Sequence, residues 1–113
     1  MIVYIAGPMS GLPQHNYPAF NRAEEKLAAL GYTVLNPVHV DLLNDTGKPQ
    51  AWDWYMRKTI AMLVEADAVA LLEGWQKSTG ARLEKHIALE LNMPAMPMKY
   101  WLDKSRDYER VTT

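Results

Sequence analysis

The chain alternates between short apolar runs and longer stretches in which apolar residues recur every three or four positions. "MIVYIAG" is a β-branched and aromatic run that stops at Gly7-Pro8, the pattern of a buried strand. "GPMSGLPQHNYP" is dense in Gly and Pro and predicts a loop. From Pro18 the period lengthens: Phe20, Ala23, Leu27 and Leu30 stand three and four apart, and Gly31 follows as a helix terminator. "YTVLNP" predicts a second strand, closed by Asn36-Pro37. Between His39 and Gln50 no period holds, and Asn44, Asp45, Gly47 and Pro49 predict a long surface loop. A second helix is expected from about Ala51 to Glu65, with Trp52, Tyr55, Met56, Ile60 and Leu63 on its apolar side. "ADAVALLEG" reads as a third strand and "TGARLEKHIALELN" as a third helix. "MPAMPMKYW" predicts a short fourth strand, with Met93, Met96 and Met98 packing at the sheet edge. The tail from about residue 102, "LDKSRDYERVTT", is polar and is expected to fray or to pack against a partner.

Strands and helices in strict alternation predict an α/β fold, a parallel sheet of four or five strands flanked by helices. In such sheets ligands bind beyond the carboxyl ends of the strands. Three loops belong to that edge: Gly7–Gly11, Asn36-Pro37 and Glu73–Gly80. They are also the loops richest in Gly, Ser and Trp, so fold and composition point to one place.

Composition narrows the classes. A chain of 113 residues has the length of one domain. Its net charge of −1 argues against a nucleic-acid polymer or an anionic membrane as partner, while leaving room for a local anion site. The absence of cysteine excludes disulfides and thiolate metal sites. No apolar run approaches the ~20 residues of a membrane span, and the opening run lacks a basic leader, so the expectation is a cytoplasmic protein. A core this small also makes pairing with a second copy expected.

The third helix carries the chemistry. Ala81, Glu84, Ala88 and Leu91 fall on one line of the cylinder, flanked by Ile87, while Arg82, Lys85 and Glu90 point to solvent. Glu84 therefore interrupts an apolar stripe in the opening turns. Burial raises a carboxyl pKa, and nearby helix N-terminal amides favour the charged form. Such a group serves as a nucleophile or base, or it pairs structurally with a lysine. Ser78, Thr79 and Gly80 precede the helix either as an ordinary cap or as an anion seat of free amides and a hydroxyl. The P-loop lysine and the dinucleotide glycine spacing are both missing.

Taken together and in order, "YIAGPMSG", "ADAVALLEGW" and "STGARLEKHIALELNMP" resemble the nucleoside 2-deoxyribosyltransferase superfamily, near a small branch found in bacteria and their phages. The resemblance runs over roughly residues 2 to 95, apart from the loop at 40–50. It implies a flavodoxin-like sheet, cleavage of the N-glycosidic bond of 2-deoxynucleosides or their 5′-monophosphates, and no metal or organic cofactor. By that resemblance Glu84 attacks the anomeric carbon, Tyr4 orients it, and Gly7, Pro8, Met9, Ser10 and Gly11 lie along the sugar and phosphate. Gly80 belongs to the same seat. Ser78 stands where transferases of unphosphorylated nucleosides carry aspartate; a hydroxyl can donate to phosphate, so a monophosphate is expected. Thr59 stands where relatives have an aspartate that assists the leaving base, and a threonine is no useful acid near neutral pH. Glu73, Asp41 and Asp45 are the remaining sources of acid. Trp75 contacts the base or packs; Trp52, Trp54 and Tyr55 are expected to pack in the core or between subunits. His15, His39 and His86 show no metal spacing and are assigned surface or loop roles. The implied partner is a small nucleoside or nucleotide, and the implied assembly is a homodimer or larger homo-oligomer. Base exchange by a transferase and a nucleotide-binding module without turnover are the alternatives.

Overall fold

The computed structural model describes residues 1–103. Four strands, β1 (Ile2–Ala6), β2 (Thr33–Leu35), β3 (Ala68–Leu71) and β4 (Ala95–Pro97), alternate with helices α1 (Tyr17–Ala29), α2 (Trp52–Leu63) and α3 (Thr79–Glu90). All pairs are parallel, in the order β2-β1-β3-β4. Tyr4 sits beside Leu35 on one side and Val69 on the other. β1 is thus a central strand, which is why its run is apolar on both faces.

The two faces of β1 feed two cores. Val3 and Ile5 pack with Phe20, Ala23 and Leu27 of α1, while Tyr4 and Ala6 pack with Leu63 of α2 and with Ala81 and Ala88 of α3. A tyrosine on the second face places a hydroxyl among the helices that follow β2 and β3. β4 is an edge strand, where Pro97 needs no donor.

Several expectations change. Residues 98–103 are helical rather than a continuation of β4, and Trp101 is fully buried against the α1 face. Its indole N–H is shared between the carbonyls of Val69 and Met96, at 3.1 Å each, so the chain after β4 folds back over the sheet. Of the three methionines, Met93 is buried and Met98 packs on the α1 side, whereas Met96 is exposed. Leu30 and Leu91, placed on apolar stripes, are exposed because each is the C-terminal cap where its helix already turns away. Asn92, at φ 60°, redirects the chain after α3, and Met93 becomes the buried residue.

The segment without period is ordered from within. Residues Pro37–Leu43 form a 3-10 turn whose cap is Asn36. The Asn36 side chain is buried; its oxygen accepts from Val38 N at 3.0 Å, and its amide donates to Asn21 (3.1 Å) and Glu24 (2.9 Å) of α1. Beyond it, Asn44 and Thr46 close residues 44–48 with hydrogen bonds to each other (2.7 Å) and to the Lys48 carbonyl. Among the described residues, no helix is long and apolar enough to cross a membrane.

Candidate active site

A cavity of about 1020 Å³ opens at the carboxyl edge of the sheet, walled by the β1 loop, the 3-10 turn, α2 and the start of α3. At its floor β1 and α3 bring together Tyr4 and Glu84. The Tyr4 hydroxyl donates to Glu84 Oε2, with both side chains buried. Burial pushes the Glu84 carboxyl up to about 7, against the pull of hydrogen bonds from Tyr4 and Thr59. Burial wins, as one of the two expected influences, but the pull against it comes from these two hydroxyls rather than from the helix N-terminal amides. The same burial, followed by the charge of Glu84, raises the Tyr4 phenol well above its ordinary value, so Tyr4 keeps its proton and remains the donor. Glu84 is therefore partly ionised at neutral pH and held in one orientation.

Thr59 of α2 is buried and borders the cavity beside this pair. Its single hydroxyl proton is shared between the Glu84 carboxylate and the Met56 carbonyl, 3.3 Å away in its own helix. Ser78 caps α3, its Oγ accepting from Ala81 N at 3.2 Å, and also lines the cavity with Lys77, Thr79 and Gly80. Cap and cavity wall are one feature here. Gly80 is tight for a geometric reason: a Cβ there would lie 3.1 Å from Met56 Sδ, so its lack of a side chain lets α2 and α3 approach each other. Gly7 answers to a similar demand, since a Cβ would meet Leu72 at 2.7 Å.

Gly7, Pro8, Met9 and Ser10 line the cavity. Gly11 does not. The turn closed by Leu12 N to Met9 O carries it to the surface at φ 79°. Trp75 also lies outside; it packs on the Tyr4 side of the core under the Lys85 ammonium, 4.5 Å from its ring centroid. Glu73 and Asp45 are exposed and away from the cavity, whereas Asp41 borders it.

Trp52 and Tyr55, expected in packing, border the cavity instead, and Trp52 is half exposed. The signal is in the sequence: residues 52, 55 and 59 fall on one line of α2, and the resemblance sets Thr59 beside the leaving base. Tyr17, at the first turn of α1, was not anticipated; its hydroxyl donates to the Asp41 carboxylate. His15, assigned to the surface, is exposed and edges the cavity beside the Tyr17 ring. His39 is exposed near Glu24. Among the described residues no cluster of His, Cys, Asp or Glu could hold a metal ion.

Strand order, parallel pairing and a cavity at the carboxyl edge define a flavodoxin-like α/β protein of the deoxyribosyltransferase type of fold. The solved 2-deoxyribosyltransferase of Bacillus psychrosaccharolyticus has this fold, with a TM-score of 0.67 and 21% identity over 86% of this chain and 71% of that one. Residues 1–97 match the family described as Domain of unknown function (DUF4406), and the chain belongs to that family. No curated protein sequence matches it.

Proposed function

We propose that this domain breaks the N-glycosidic bond of a 2-deoxynucleoside 5′-monophosphate, with Glu84 as nucleophile and Tyr4 orienting it. One observation carries this reading: a buried carboxylate at the floor of a nucleotide-sized cavity, held by a tyrosine that cannot easily lose its proton. A Glu84 oxygen attacks the anomeric carbon as the bond to the base breaks. The electron pair leaves on the base nitrogen, which takes a proton from solvent. Water then attacks the anomeric carbon of the glycosyl ester, releasing deoxyribose 5-phosphate, one proton and the free Glu84 carboxylate. Ser78, Gly80 and Lys77, with the loop from Gly7 to Ser10, take the sugar and phosphate at the start of α3.

Base exchange would follow the same first half, with a second base in place of water. Thr59 favours a different reading, a module that binds nucleotides without turning them over, because its hydroxyl offers no acid to the leaving base. The experiment is incubation with a panel of nucleosides and monophosphates, read by chromatography. Free base from monophosphates, lost in Glu84→Ala, supports the glycosidase. A new nucleotide formed only when a second base is added supports exchange. Calorimetric binding with no release supports the module.

We further infer a homodimer or larger homo-oligomer. Leu42 (83% exposed), Leu43 (61%) and Trp52 (50%) offer apolar surface on the segments that form the cavity wall. Light scattering of the purified chain tests it; a monomer at high concentration would refute it.

A further inference from the structure

Resting on the reading of the cavity as a nucleotide site, we propose that Asp41, oriented by Tyr17, receives the nucleobase and selects bases that carry an amino group. Among the described residues two carboxylates border the cavity, Glu84 and Asp41. Glu84 must face the sugar, and a displacement at the anomeric carbon sends the base away on the opposite side. The phosphate is drawn to Lys77, Ser78 and the amides of α3, and it is repelled by Asp41. Lys48, in the loop that Asn44 closes, also borders the cavity, but it lacks the hydroxyl and helix amides that stand beside Lys77. With Glu84 assigned to the sugar and the Lys77–Ser78 start of α3 to the phosphate, the wall bearing Asp41 and Tyr17 is left for the base.

That wall presents an acceptor. Tyr17 donates to Asp41 Oδ2, and Oδ1 makes no hydrogen bond among the described residues. The two amide side chains nearby are committed to their own loop: Asn44 donates to the Lys48 carbonyl at 2.7 Å, and Gln50 donates to Thr46 Oγ1 at 2.9 Å. The backbone holds Asp41 from the other side, its carbonyl accepting from Asn44 N at 3.1 Å. A fixed carboxylate oxygen matches the amino group of adenine, cytosine or guanine. In thymine and uracil the corresponding groups are carbonyl oxygens, and their one remaining donor on that edge, N3–H, lies between two such oxygens that a carboxylate repels.

Calorimetry tests this with the 5′-monophosphates of deoxyadenosine, deoxyguanosine, deoxycytidine, thymidine and deoxyuridine. The full chain carrying Glu84→Gln is used, so that ligand is not consumed. The expected result is binding of the three amino-bearing nucleotides at least about tenfold tighter than the other two, the scale of one well-placed hydrogen bond. Asp41→Asn and Asp41→Ala are expected to erase most of that ratio. Tyr17→Phe, a positioning change, should reduce the ratio by less while leaving affinity for deoxyribose 5-phosphate unaltered. If monophosphates bind but both Asp41 variants keep the ratio, this inference falls and the cavity remains a nucleotide site. If none of the five binds, both readings fall together.

Discussion

The two carboxylates of the cavity are built in opposite ways. Glu84 sits on a regular helix, in a fully apolar stripe, and its properties come from exclusion of water; only Tyr4 and Thr59 offset that burial. Asp41 sits on a short 3-10 turn at intermediate exposure, and its orientation comes from hydrogen bonds, to Tyr17 directly and through the Asn36 cap indirectly. Burial is a property of the whole core and tunes reactivity. A hydrogen-bonded rim is assembled from a few side chains and is open to change without disturbing that core. A fold with both can keep one chemistry and vary what it accepts.

That contrast can be broken from either side. Glu84→Ala removes the proposed nucleophile and is expected to lower base release by about a thousandfold or more, measured by single-turnover chromatography. The fold should survive, because an unfavourably buried charge goes with it; an equal or higher melting temperature is expected. Should release persist in that variant, the floor of the cavity is not the reacting end.

The second prediction concerns pH. Glu84 is raised from 4.5 to about 7 in the folded state, so between those values the folded chain holds a proton that the unfolded chain has lost. Stability must therefore fall as pH rises through this window, by up to about 3 kcal/mol at 1.36 kcal/mol per unit. Relative to wild type, Glu84→Gln should show a flatter stability profile from pH 5 to 8 in urea titrations. Activity should move the other way, rising toward pH 7 as the carboxylate ionises. Parallel profiles for the two proteins would remove burial as the cause.

On the rim, Asn36→Ala deletes a buried cap and three hydrogen bonds, and it is expected to cost about 1–3 kcal/mol in denaturant titrations. Because the 3-10 turn carries Asp41, nucleotide affinity should fall while the stability-pH slope assigned to Glu84 stays the same. The smallest effect is expected at Ser78. Ser78→Asp keeps an oxygen able to cap α3, so stability should hold within about 1 kcal/mol. The added charge should weaken a monophosphate by about tenfold and leave a nucleoside unaffected, which calorimetry would read directly.

Much of the buried half was legible in the chain. A carboxylate three and four places from alanines is conspicuous because helical period is local, and strand–helix alternation names the sheet edge where the third helix begins. The resemblance sets Thr59 beside the leaving base, and the helical line through it takes in Tyr55 and Trp52. Gly11 and Trp75 were assigned from their nearness in sequence to the right loops. One turn carries the first to the surface, and the second packs against the Tyr4 side of the core without reaching the cavity. The rim was less legible, since nothing in an aperiodic segment ranks Asp41 above Asp45.

Sequence by itself determined the elements, their alternation, the parallel sheet and the presence of an acid on the inward line of α3. These follow from side-chain periods that neighbouring residues set among themselves. Tertiary structure alone decided that Tyr4 reaches Glu84, that Asn36 pins the 3-10 turn to α1, that Tyr17 finds Asp41, and that Trp101 closes the opposite face. Each of those pairings joins residues far apart in the chain. No local preference encodes them; they exist only because burying the two faces of β1 brings distant segments within hydrogen-bonding distance.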